Sequence, residues 1–148
     1  MKKIKLIFTF LVIQLFFISI ANSSSSYFSQ GKALFNNKDY KKAKFLFEQD
    51  IVFHPKSYNS YLYLAKIYLE EKNDEEQEKN LKTVLILEPS NEEALYMLIN
   101  IKLNQSNFSE AKKINKKFDL FCSTLCYKKE EISDKLINSL VKDEKDKN

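Results

Sequence analysis

Apolar stretches with helical spacing alternate along this chain with three short polar breaks, Asn36-Asn37-Lys38-Asp39, Lys72-Asn73-Asp74 and Gln105-Ser106-Asn107. These are the lengths that join antiparallel helices. His54-Pro55 and Glu88-Pro89 end two of the stretches, because the residue before a proline is pushed out of helical geometry. The marks recur at a fixed interval: Pro55 and Pro89 lie 34 residues apart, as do Ser23, Ser57 and Asn91, and again Asp39, Asn73 and Asn107. Ser, Asp and Asn are N-cap residues, so two caps per period predict two helices per period. Strand-like alternation is absent from the region after Ser23. The pattern predicts an all-α helical-hairpin repeat solenoid with about three repeats, over residues 24–57, 58–91 and 92–125.

The unit resembles the tetratricopeptide repeat, which places a bulky residue, Leu-Gly and Tyr on its first helix, then Ala, Phe and a closing Pro on its second. The first unit carries the likeness in Tyr27, Gly31, Leu34, Ala43, Phe47 and Pro55, and the second in Tyr61, Leu64, Ala65, Tyr68, Leu81 and Pro89. The third keeps Leu95, Leu98 and Ala111 but has Lys102, Asn115 and Ser123 where Tyr, Phe and Pro are expected, which marks a degraded or terminal repeat. Gln77 stands where the second unit should have Ala, weakening the expected close contact of that hairpin. Small residues at Gly31, Ala43, Ala65 and Ala111 let paired helices approach, while Phe47, Tyr68 and Leu81 fill the space between neighbours.

Charge supports the same boundaries. Asp74, Glu75, Glu76 and Glu78 crowd one proposed first turn, where negative charge complements the helix dipole by about 0.3 to 1 kcal/mol each at best. Beyond the repeats, Ile132, Leu136 and Leu140, joined by Ile137 and Val141, form an apolar stripe, with Lys129, Glu130, Glu131, Asp134 and Lys135 facing away. This predicts a capping helix over 126–141 that covers the last repeat, including Phe118, Leu120 and Phe121, or else docks on a partner. A charged, disordered tail is expected from Lys142 to Asn148.

The N-terminus has the form of an export signal. Lys2, Lys3 and Lys5 precede an apolar run from Leu6 to Ile20, and Ser19-Ile20-Ala21 or Ala21-Asn22-Ser23 offers small residues for cleavage. A helix of that run spans only about 22 Å against a hydrocarbon core of about 30 Å, which favours a cleaved signal over an anchor. Either form places the repeats outside the cytoplasm, in the periplasm or beyond, or membrane-anchored and facing outward. The net charge of +4 then belongs mainly to the signal. All basic residues are Lys, so bidentate reading of phosphate or guanine is not available and nucleic acid is not an expected partner.

Enzyme chemistry is not expected. The chain has one His and one Gly, and no phosphate loop, zinc cluster or nucleophile motif, and no cofactor or metal is implied. His54 reads as a surface turn residue. Cys122 and Cys126 are four apart; on a continuous helix their geometry suits a disulfide poorly, so a bridge requires the helix to be broken there, and buried thiols are the alternative.

Function must then sit on a surface. In the family that the chain resembles, the first helix of each repeat lines a concave groove that holds a peptide. By repeat position that groove would contain Phe28, Lys32 and Phe35, then Leu62, Lys66 and Leu69, then Tyr96, Asn100 and Leu103. Apolar rows flanking two lysines suit an amphipathic segment with an acidic side chain or free carboxylate. The alternative for Leu62, Leu69 and Leu103 is packing within the array, with the lysines as ordinary solvated charge. The resemblance, taken with the export signal, points to an exported adaptor that binds a peptide or partner protein, in envelope assembly or secretion; the alternative is a structural subunit that uses its convex or terminal face.

Overall fold

The computed structural model describes residues 26–145. The expected export signal and Ser23 lie outside them, as do the last residues of the tail and the side chains of Leu140 and Val141. The described residues form seven helices, α1 Tyr27–Asn36, α2 Tyr40–Phe53, α3 Tyr58–Glu70, α4 Asp74–Leu87, α5 Glu92–Asn104, α6 Phe108–Phe121 and α7 Lys129–Lys145, and no strand. Successive helices pack as the pairs α1/α2, α3/α4 and α5/α6; α2 meets α3 and α4 meets α5 between pairs, and α7 closes the stack against α6 and α5. This is the all-α hairpin solenoid that the spacing predicts.

Each hairpin turns on the same device. Lys38, Lys72 and Ser106 have φ of 62°, 55° and 56°, the left-handed region, at the same repeat position. The residue after each then donates its N–H back over the finished turn, Asp39 to the Leu34 carbonyl, Asn73 to that of Tyr68 and Asn107 to that of Lys102. The left-handed residues donate to Phe35, Leu69 and Leu103. This double bond pattern terminates a helix and is usually built on Gly. The same Asp39, Asn73 and Asn107 cap the next helix by accepting from the N–H groups of Lys42, Glu76 and Glu110. Asn91 caps α5 through the Ala94 N–H at 2.9 Å. Two of the predicted caps differ. Ser26 caps α1, which makes it the shortest of the seven. Ser57 begins α3 without a side-chain cap, because its hydroxyl pairs with that of Ser60 instead.

The core has two parts. Phe47 is fully buried in the first hairpin, against the rings of Phe28 and Tyr63, and an added Cβ on Gly31 would come within 2.8 Å of the Phe47 ring. Only glycine permits that approach. Ala43, Ala65 and Ala111 are likewise fully buried. The second part runs through α3, α4, α5 and α6 to Ile132 of α7. Gln77 is buried, and α3 and α4 still pack closely. The cap differs from expectation at its edges. It covers Phe118, whereas Leu120, two residues on, points to another side of the helix and stays exposed, as does Phe121 at the helix end. Ile132 and Leu136 reach the core while Ile137 does not. α7 continues to Lys145 through residues with good helix propensity, so Lys142 to Lys145, expected in the tail, are helical.

Among the buried polar residues, two carry charge. Asp50, almost fully buried, accepts from the Ser60 hydroxyl at 2.5 Å and pairs with His54 Nδ1 at 3.1 Å. Burial raises its pKa, but the hydrogen bonds from Ser60, Ser57 and His54 outweigh it and hold the carboxyl below its ordinary value. Lys102, at the degraded Tyr position, pairs with Glu78 at 2.6 Å, and Gln105 bonds both. Glu78 also meets Lys82. Against the opposing effect of burial, Lys102 and Lys82 bring its pKa down to about 2. This pair ties α4 to α5 across the repeat boundary.

Two outcomes follow. Gly31→Ala gains about 1 kcal/mol of helix propensity but overpacks Phe47, for a net loss of about 1 to 2 kcal/mol in denaturant melts. Lys102→Met leaves Glu78 with less than its full set of partners and costs about 2 kcal/mol, most of it recovered by adding Glu78→Gln. Because the folded pKa of Glu78 lies below its unfolded value, its contribution is present above about pH 4.5 and is lost as pH falls toward 2; the Lys102→Met deficit should therefore shrink over that interval.

Candidate functional site

The first helices of the repeats, α1, α3 and α5, share one side of the stack, and a groove of about 390 Å³ opens there. Phe35 lines it from α1, Lys66, Leu69 and Glu70 from α3, and Glu93, Tyr96 and Met97 from α5. Its far wall is not a repeat helix. Leu125, Tyr127 and Lys128 of the α6–α7 connection complete it.

That connection is held in place by two features. α6 stops at Phe121, Cys122 is extended, and a single 3-10 turn over Cys126–Lys128 leads into α7. The helix is thus broken between the cysteines, which are joined by a disulfide with a Cα separation of 5.1 Å. The enclosed residues point three consecutive backbone N–H groups, those of Ser123, Thr124 and Leu125, at the Glu92 carboxylate in the first turn of α5. The distances are 2.6, 3.0 and 3.1 Å, and the Thr124 hydroxyl adds a fourth donor. Burial works against ionisation, yet these donors bring the Glu92 pKa down to about 2. A carboxylate in a nest of backbone donors fixes the loop, and so fixes the groove wall.

Two ammonium-bearing side chains, Lys66 and Lys128, line the groove together with Phe35, Leu69, Tyr96 and Met97. Lys66 Nζ lies 2.9 Å from Glu93 and 4.7 Å from the centre of the Tyr63 ring. Lys128 Nζ lies 2.6 Å from Glu131 and 5.4 Å from the rings of both Tyr96 and Tyr127. The Glu131 hydrogen bond raises the Lys128 pKa. Glu131, held at about 2 by Lys128, Lys135 and Tyr96, also accepts from the Tyr96 hydroxyl at 3.0 Å. The cations are thus aimed by carboxylates on their flanks, with aromatic faces beneath them.

Of the nine groove residues expected from the sequence, Phe35, Lys66, Leu69 and Tyr96 line this groove. Leu62 does not, being buried in the core, and Leu103 packs half-buried against it. Phe28 belongs to the aromatic cluster with Phe47 and Tyr63. Asn100 is engaged by Lys135 at 2.9 Å and by its own helix through the Tyr96 carbonyl. Lys32 is exposed on α1 outside the groove lining. Glu70, Glu93 and Met97 were missed although helical spacing from Lys66 and Tyr96 points to them. Leu125 ends the expected third repeat, outside its first helix, and Tyr127 and Lys128 lie beyond it, with no repeat position to reveal them.

The arrangement of Ser60, Asp50 and His54 holds the residue types of a hydrolase triad in the wrong order. The carboxylate stands between the other two, and Ser60 is fully buried, so no substrate reaches its hydroxyl. Among the described residues, no group of three or more His, Cys, Asp or Glu is placed to hold a metal ion, and no helix is long and apolar enough to cross a membrane.

No family model matches the chain, and no curated protein matches it in sequence. Solved structures do match in shape. The Yersinia enterocolitica type III secretion translocator chaperone SycD superposes with a TM-score of 0.70 at 13% identity, covering 86% of this chain and 93% of its own. The first TPR of Spaghetti (RPAP3), solved with the HSP90 peptide SRMEEVD, gives 0.69 at 16%, over 78% and 93%. The Sgt2 TPR domain from Aspergillus fumigatus gives 0.63 at 19%, over 87% and 85%. With its three hairpins and closing helix, the chain has the fold of a tetratricopeptide repeat domain.

Proposed function

We propose that the chain is a non-enzymatic adaptor whose concave groove binds a peptide or a segment of a partner protein. The carrying observation is that Lys66 and Lys128 line one groove with the apolar side chains of Phe35, Leu69, Tyr96 and Met97. An extended amphipathic segment would set its own apolar side chains on that lining and an acidic side chain or terminal carboxylate against the ammonium groups. Similar structures support this reading: SycD has been solved with a peptide of the translocator YopD, and the second TPR domain of human RPAP3 with the HSP70 peptide SGPTIEEVD. We place the protein outside the cytoplasm, in envelope assembly or secretion. The basic start and apolar run of residues 2–20 and the Cys122–Cys126 disulfide support that placement.

The test uses an array of amphipathic heptapeptides with free C-terminal carboxylates, read by fluorescence anisotropy. Lys66→Glu with Lys128→Glu should weaken the binders at least tenfold, whereas Lys32→Glu should leave them unchanged. Equal binding by the double variant, with its fold intact by circular dichroism, would sink the groove assignment.

A further inference from the structure

The second helices of the hairpins, α2, α4 and α6, are each 14 residues long and begin 34 residues apart. Equivalent positions therefore form rows across the outer side of the stack. The next-to-last residues form one such row, Val52, Ile86 and Leu120, all branched aliphatics and between 69 and 78% exposed. Phe53 and Phe121, the last residues of α2 and α6, continue it around the edge as exposed rings. Such a row is costly in water, and it contributes nothing to either part of the core.

The positions four and seven residues earlier share a helix face with this row. They are Lys79 and Lys82 on α4 and Lys113 and Lys116 on α6, with Phe45 and Glu48 on α2. Lys79, Lys82 and Lys113 reach Glu76, Glu78 and Glu110 on their own helices, yet their side chains remain 61 to 72% exposed. The face thus presents aliphatic side chains bordered by long, exposed cations. The chain also enters the fold at this edge, since Tyr27 stacks on Phe53 at 5.5 Å a few residues after the apolar run ends at Ile20.

We infer that this outer face rests on an anionic lipid surface, with Val52, Ile86 and Leu120 inserted at the headgroup boundary and the lysines over the phosphates. Aliphatic groups enter that boundary while lysine stems extend along it and keep their ammonium groups at the charged headgroups. A second copy of the chain is a poorer occupant, because face-to-face pairing brings two fields of lysine together. A protein partner is also less suited: the row stands well exposed near the helix ends, whereas binding hot spots concentrate in desolvated pockets.

The test uses the full chain carrying Phe10→Asp and Leu15→Asp, so that the N-terminal run cannot itself hold lipid, in co-sedimentation with phosphatidylcholine vesicles with or without phosphatidylglycerol. Partition should occur only on the anionic vesicles and weaken with salt. Adding Val52→Asp, Ile86→Asp and Leu120→Asp should lower it at least tenfold, and Ile86→Ser alone should lower it measurably. Melting curves should stay within the range of surface substitutions. Unchanged partition in the ridge variants, or no partition of the parent, overturns the inference. So does a lipid-free dimer that the ridge variants dissolve, which assigns the row to a second copy, or a protein ligand whose binding they abolish while lipid partition persists.

Discussion

The whole array depends on one residue serving two helices at once. Asp39, Asn73 and Asn107 each donate a backbone N–H to close the helix behind them and offer a side-chain oxygen to start the helix ahead. That shared residue leaves no slack between the two helices of a pair. It also forces the preceding residue into left-handed geometry, at a cost of about 1 kcal/mol where that residue is not Gly. Lys38, Lys72 and Ser106 bear that cost because everything downstream is fixed by it: the crossing at Gly31, the stacking of successive pairs and the common side on which the groove opens.

The third repeat shows how the fold tolerates loss of its usual side chains. Lys102 keeps a buried position by bringing Glu78 and Gln105 with it, so an apolar contact between neighbours becomes an ionic one. Asn115 is less completely accommodated. Its amide nitrogen reaches Asp119, but its buried oxygen has no hydrogen-bond partner among the described residues. An aromatic ring in that place would have packed, and the shortfall is consistent with a repeat that ends the array instead of continuing it.

The hairpins were legible because their signals are local: caps, breaks and prolines declare helix ends whatever the helices later touch. The groove was legible only in part. Helix position told which side Phe35, Lys66, Leu69 and Tyr96 would occupy, but it gave no account of how deep each side chain sits. Leu62 has the same position in its repeat as Tyr96 and is buried, because a leucine there reaches the neighbouring pair whereas a tyrosine extends to Glu131 at the surface. The wall carrying Lys128 depends on Glu92, more than thirty residues away in sequence, meeting the bridged loop. No periodic pattern encodes a contact made once.

The two parts of the core divide α3 between them. Leu64 and Ile67 pack with the first hairpin, while Leu62 and Ala65 pack with everything that follows. A repeat array gains its cooperativity from each unit's neighbours, so its outermost pair has support on one side only. Among the described residues that pair is α1 and α2, since the opposite end is closed by α7. The native state should therefore loosen from its N-terminal end inward: peeling the first hairpin away bares one face of α3 and leaves its other face seated. Because Phe35 belongs to that hairpin, one side of the groove would swing open before the main core is breached, giving a segment of the kind proposed for the groove a way in and out that requires no movement of the stapled wall opposite.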